Sequence, residues 1–200
     1  MKQYTITRVS GKPDWSQIPC LDVDNYQWME PLDIRMKAQI CYDETGIHVH
    51  LQAWEKDIRA EYTEPLSMVC EDSCMEFFFR PMDGDIRYFN LEINPLGRTY
   101  LGFGPNMDHL VRLVPQEEDE LMCKSWNYTE DGWEVFFTFP VSMIAVFFPG
   151  YELKSGMKIY ANCYKCGDLT KTRHYIAWNS LPVDTHTFHQ PDQFGLMVLG

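Results

Sequence analysis

The sequence predicts an all-β protein: an antiparallel β-sandwich, jelly-roll-like, with at most one short helix. Three observations carry that expectation. Every long apolar segment alternates between apolar and polar positions, the period of a half-buried strand. Clusters of Gly, Pro, Asn and Asp separate these segments at short intervals, as turns do in sandwiches. Apolar residues make up 45% and aromatic residues 14% of the chain, enough to fill a large core. The 200 residues suit one domain spanning 1–200, with no internal repeat or linker.

In order, residues 3–9 read as a first strand, and 10–32 as an irregular, proline-rich segment held to the body by Trp15 and Trp28. Residues 33–41 and 47–54 alternate around the turn Asp43-Glu44-Thr45-Gly46 and form a hairpin. A charged connection, 55–70, leads to the central hairpin, 71–94, read as two strands on a tight turn at Pro81, Asp83 and Gly84. Residues 97–103 extend it as a meander, and 104–120 form a loop ending in the acid run Glu117-Glu118-Asp119-Glu120, a solvated edge. Another hairpin spans 121–128 and 133–139. Residues 141–148, between Pro140 and Pro149-Gly150, are the single helix. The last strands are 157–166, 172–178 and 194–199.

The formal net charge of -12 argues against nucleic acid and against an anionic membrane surface, both of which need a basic footprint. Seven cysteines, an odd number without the spacing of a disulfide scaffold, predict reduced thiols. The N-terminal segment has no apolar run. These features lead us to expect a cytoplasmic protein, or a secreted one if a leader has been removed.

The central hairpin carries the chemistry. Met75, Phe77, Phe79, Phe89, Leu91 and Ile93 share one face, which is core. Glu76, Phe78, Tyr88, Asn90 and Glu92 share the other, joined by Asn162 and Tyr164 if their strand lies in the same sheet. Carboxylates, amides and rings mixed on one face are what sugar recognition needs: planar polar groups for hydroxyls and aromatic surfaces for pyranose faces. The alternative readings are a wet sheet face with incidental rings, a sandwich that binds a protein or an unrelated small ligand, and a glycoside hydrolase with Glu76 and Glu92 as paired carboxylates acting on O-glycosyl bonds. Cys163-Tyr-Lys-Cys166 has the spacing of a metal or redox knuckle, but residues three apart on a strand point to opposite faces. His48 and His50 share a strand face and read as surface residues. His174, His186 and His189 fall where loops could gather them.

Three motifs in order resemble the family-nine carbohydrate-binding modules. They are Asp72-Ser73-Cys74-Met75-Glu76-Phe77, then Tyr88 to Asn94 followed by Pro-Leu-Gly, then the closing run Phe188-His-Gln-Pro191-Asp-Gln-Phe194-Gly195, preceded by Ala177-Trp178-Asn179. The resemblance spans about residues 70–200. It implies a β-sandwich that binds sugar ends of xylan- or cellulose-related polysaccharides between two rings without catalysis, within polysaccharide catabolism, with structural calcium in some members. Carried over by position, Phe188 stands at the first ring and Glu76 at the hydroxyl-binding glutamate. Glu92, Asn162 and Tyr164 fall on the polar strands, and Tyr88, Asn90 and Trp178 complete the candidate carbohydrate site. The second ring falls at Cys70, where no aromatic stands; Trp54, Tyr88 or Tyr164 are the candidate replacements. For calcium, the loop oxygens of Asp22, Asp24, Asp43, Glu44 and Asp57 are the candidate ligands.

Overall fold

Residues 1–200 are described in a computed structural model. Two sheets share the first strand. β1 (Gln3–Arg8), β2 (Cys20–Val23), β4 (Arg35–Tyr42), β5 (Gly46–Trp54), β10 (Ser125–Thr129) and β11 (Gly132–Pro140) build one sheet, in the order β10-β11-β5-β4 with β2 and the end of β1 along the free edge of β4. The other contains β6 (Cys74–Arg80), β7 (Tyr88–Ile93), β8 (Thr99–Gly104), β9 (Val111–Leu113), β12 (Lys158–Gly167) and β14 (Gly195–Leu199), in the order β9-β8-β7-β6-β12-β14-β1. β13 (His174–Ala177) lies beside the second half of β12, and β3 (Asn25–Tyr26) lies beside β13.

The inner faces meet in one apolar core. Phe77 and Phe79 of β6 and Phe89 of β7 pack on Phe137 and Phe139 of β11, with ring centroids 4.8 to 6.4 Å apart. The apolar parity read in the central hairpin is therefore the packed face: Met75, Phe77, Phe79, Phe89, Leu91 and Ile93 are all buried there. Asp43 closes the first hairpin by accepting from the Thr45 N–H at 2.7 Å and its hydroxyl at 2.6 Å.

Several expectations change. The sandwich is mixed rather than wholly antiparallel: β1 runs parallel to both β14 and β4, because it crosses from one sheet to the other and has a strand of its own direction on each side. There are two helices, α1 (Glu118–Leu121) and α2 (Val141–Phe147). The acid run, read as a solvated edge, forms the first turn of α1, where Lys124 bonds Glu118 at 2.7 Å and Asp119 at 2.8 Å. The segment 10–32 contributes β2 and β3, too short to show a period. The connection after β6 is longer than a tight turn: seven residues, 81–87, separate β6 from β7, and Arg80 Nε donates to the Asp85 carbonyl across them. No helix is long and apolar enough to cross a membrane.

Candidate functional site

The outer face of the second sheet carries a line of four residues across four strands. Tyr164 on β12 stands opposite Glu76 on β6, Glu76 opposite Glu92 on β7, and Glu92 opposite Tyr100 on β8. Cross-strand partners point the same way, with Cβ atoms about 4.5–5.5 Å apart, so the two carboxyl groups are neighbours by construction. A parallel line holds Asn162, Phe78, Asn90 and Gly102.

The segment between β13 and β14 folds over much of this face. Phe188 lies flat on Tyr164, centroids 4.1 Å apart and planes within 9°, and the Tyr164 hydroxyl donates to the Phe188 carbonyl. His189 Nδ1 shares a hydrogen bond of 2.7 Å with the Tyr88 hydroxyl and the ring packs on Phe78; burial lowers its pKa to about 4, so the ring is neutral. A second, smaller apolar cluster forms between loop and sheet, separate from the main core.

What the loop leaves open is a cleft of about 270 Å³. Its floor holds Glu76, Glu92 and Cys166; Trp28, Tyr175 and Phe188 form one wall and Tyr100 another. Trp28 stacks toward Phe188 at 5.8 Å and meets Tyr175 edge-on. Arg112 covers Tyr100, 4.1 Å from its ring centre. Trp28 and His186, whose rings sit 5.4 Å apart at the rim, both have left-handed backbones, φ 58° and 47°. Such conformations cost of order 1–3 kcal/mol for non-glycine residues and gather at binding sites.

The electrostatics of the floor follow from burial. Burial pushes the Glu76 carboxyl well above its ordinary range, and the neighbouring Glu92 pushes it further. Burial raises Glu92 to about 7, against the pull of an Asn90 hydrogen bond and the Arg112 charge. Cys166 Sγ donates to Glu76 Oε1 at 3.0 Å, and Asn90 Nδ2 to Glu92 Oε1 at 2.7 Å. Near neutral pH the floor therefore holds a protonated Glu76 beside a Glu92 that is about half protonated, so the pair can donate as well as accept.

The eight candidate residues thus separate. Glu76, Glu92 and Phe188 border the cleft. Tyr88, Asn90, Asn162 and Tyr164 share the predicted face but are fully buried beneath the loop. Asn162 ties β12 to the loop, its amide donating to the Asn179 carbonyl and accepting from the Asn179 N–H, both at 2.9 Å. Trp178 turns into the main core, over Gly195, where a Cβ would come within 2.4 Å of the indole. Of the candidate replacement rings, Trp54 ends β5 on the other sheet under Arg35, and Tyr88 and Tyr164 are covered. Besides Phe188, the rings that line the cleft are Trp28, Tyr100 and Tyr175, and these three were missed. Trp28 arrives through the β3–β13 pairing and the Gln27 N–H bond to the Tyr175 carbonyl, which two strand residues in a proline-rich segment do not announce. Tyr100 had a legible signal, lying two strands from Glu76 at matching parity.

The proposed calcium oxygens do not gather. Asp22 pairs with Lys37, Asp24 with Lys2 and Asp57 with Lys171, while Asp43 serves its own turn and His48. His50 lies between Gln39 and Glu134 and His48 bonds Thr138, so these two histidines are engaged separately. All seven cysteines are unpaired; Cys163 faces the main core and Cys166 the cleft, as strand parity requires.

Residues 7–199 match the sequence profile described as Carbohydrate-binding family 9. A candidate carbohydrate-binding protein from Bacteroides uniformis ATCC 8492 is similar over 100% of this chain and 99% of its own, at 25% identity and a TM-score of 0.84. A module of this family from Caldicellulosiruptor kristjanssonii is similar at 11% identity and a TM-score of 0.71, in a glucose complex covering 100% of this chain and 96% of its own and in a cellotriose complex covering 99% and 93%. No curated protein matches.

Proposed function

The chain belongs to carbohydrate-binding family 9, and from that premise we propose that it binds the end of a plant-type oligosaccharide, cellulose- or xylan-related, without catalysis, in the cleft over Glu76 and Glu92. One observation carries the reading: rings and a hydrogen-bonding pair of acids meet at a single opening. Trp28 and Tyr100 supply pyranose-stacking surfaces from opposite sides, in place of the ring missing at Cys70. Glu76 and Glu92 bond hydroxyls from below. The volume of about 270 Å³ sits near the lower edge of small-ligand sites, about 300–1,000 Å³, which suits a terminal unit more than the interior of a long chain. The glucose and cellotriose complexes of the similar module support a glucose-containing ligand.

The same geometry disfavours hydrolysis. Paired catalytic carboxyls flank the scissile bond, one kept ionised; here both stand side by side on one floor and both are raised. Titration calorimetry with glucose, cello-oligosaccharides and xylo-oligosaccharides tests the reading. We expect binding of at least one series, in the micromolar to millimolar range usual when a few stacking and hydrogen-bond contacts meet ordering costs, and no hydrolysis of aryl glycosides. Binding that survives Glu92→Ala and Tyr100→Ala together overturns this placement of the site.

A further inference from the structure

The cleft floor contains a second constellation, which shares Glu76 with the proposed sugar site and adds two thiols that sugar recognition does not use. Cys74 on β6 stands directly opposite Cys166 on β12, and Glu76 follows two residues after Cys74 on the same face. Their ligand atoms, two sulfurs and one carboxylate oxygen, all lie within 4.8 Å of one another, and Cys166 Sγ is 3.0 Å from Glu76 Oε1. This is the one place in the molecule where three metal-ligating side chains converge. All three are buried, and they are held on two hydrogen-bonded strands, not on loops.

We propose that Cys74, Cys166 and Glu76 form a binding site for a thiophilic divalent cation, Zn²⁺, with a fourth position open to the cleft. Zinc takes Cys sulfur at about 2.3 Å and carboxylate oxygen at about 2.0–2.2 Å in a tetrahedron. Those lengths set ligand–ligand separations of roughly 3.6–3.8 Å, within reach of the observed cluster by small rotamer adjustments. The donor set selects the metal: two sulfurs exclude a hard ion such as calcium, and the carboxylate favours zinc over copper(I). Binding releases three protons to solvent, two from the thiols and one from the Glu76 carboxyl, and leaves two thiolates and a carboxylate around the divalent ion, a net charge of about -1. Entry is through the cleft, because Glu76 and Cys166 line it while Cys74 lies behind them. The Cys163-x-x-Cys166 spacing was a false lead along the chain; the partner of Cys166 is across the ladder.

The test needs no sugar, so it stands or falls apart from the carbohydrate reading. The reduced, chelator-treated protein is titrated with Co²⁺ and then Zn²⁺. We expect one equivalent of Co²⁺, a thiolate-to-cobalt charge-transfer band, and its displacement by Zn²⁺ with Kd below about 1 μM. Cys74→Ser and Cys166→Ser should each remove the band, and Glu76→Gln should weaken zinc binding at least tenfold. The exposed-thiol variants Cys20→Ser and Cys123→Ser should keep it. Failure of the wild-type protein to bind Co²⁺, a spectrum without thiolate bands, or a Cys74–Cys166 disulfide in the protein purified without reductant would each overturn the proposal, whether or not the serine variants fold.

Discussion

Two buried carboxyl groups stand on opposite sides of the same sheet and meet opposite fates. Glu55, just after β5, lies inside the sandwich. Lys165 Nζ approaches it at 3.0 Å, the Trp133 indole donates to it at 2.7 Å and the Ser73 hydroxyl at 2.9 Å. Burial works to raise its pKa, but the Lys165 charge and these donors bring it below the ordinary value. Neutral His174, lowered to about 4 by burial and by Lys165, accepts from the ammonium at 2.8 Å and donates from Nδ1 to the Thr172 carbonyl. Glu76, on the outer side, has a thiol and another carboxyl for neighbours, and burial raises it. The strand β12 separates the two: Lys165 faces in and Cys166 faces out. A buried acid with a complete set of partners joins the two sheets. One whose nearest charge partner is another acid stays neutral and keeps its bonding capacity for something else.

The sharpest way to break this comparison is Lys165→Met. It leaves Glu55 buried and uncompensated, and removing one partner of a buried pair costs about 3–5 kcal/mol. We expect denaturant unfolding to show that loss; an unchanged midpoint would mean the pair is not the clamp described. The opposite sign is expected at the cleft. A carboxyl whose folded pKa is above its unfolded value binds more protons when folded, so its contribution is favourable at low pH and becomes a penalty as pH rises from the unfolded to the folded value. For Glu92 that window runs from 4.5 to about 7. Stability should therefore fall between about pH 4.5 and pH 7 and level off above it, and Glu92→Gln should flatten the fall, gaining up to about 3 kcal/mol above pH 7 by the 1.36 kcal/mol per unit equivalence. A pH-independent difference between the two proteins would remove the basis for a raised Glu92 carboxyl. Smaller still, Trp28→Ala should weaken sugar binding about tenfold by removing a stacking surface of about 1–2 kcal/mol, read by calorimetry. Trp54→Ala, on the other sheet, should leave that affinity within about twofold, since only contacts with ligand carry it.

The legible parts of the molecule are those set by strand parity. Alternation put Phe77 and Phe79 inside and Glu76 outside, and hairpin pairing made Glu76 and Glu92 neighbours. Lys165 was readable too: it shares parity with the buried Ala161 and Cys163, and a lysine there demands a buried partner. Its identity as Glu55 was not readable, because that pairing joins two sheets across a long loop of sequence. Trp28 and the covering of Tyr88 and Tyr164 escaped for the same reason. The closing motif gave Phe188 but not the way its segment folds back onto Tyr164, which is decided by ring packing and not by local spacing.

The first strand sets a timetable. β1 finds its hydrogen bonds on β14, the last strand, through pairs such as Gln3 with Leu196. Contacts that close the longest loop of a chain form late and slow the search for the native state. During synthesis, residues 3–6 emerge long before their partner exists, so both sheets remain unjoined along this edge until residues 196–199 have been made. An unpaired apolar edge in that interval is where nascent chains associate wrongly. The pairing of β14 with β1 therefore joins the two sheets along this edge, and deletion of residues 195–199 should yield aggregation in place of a weaker binder.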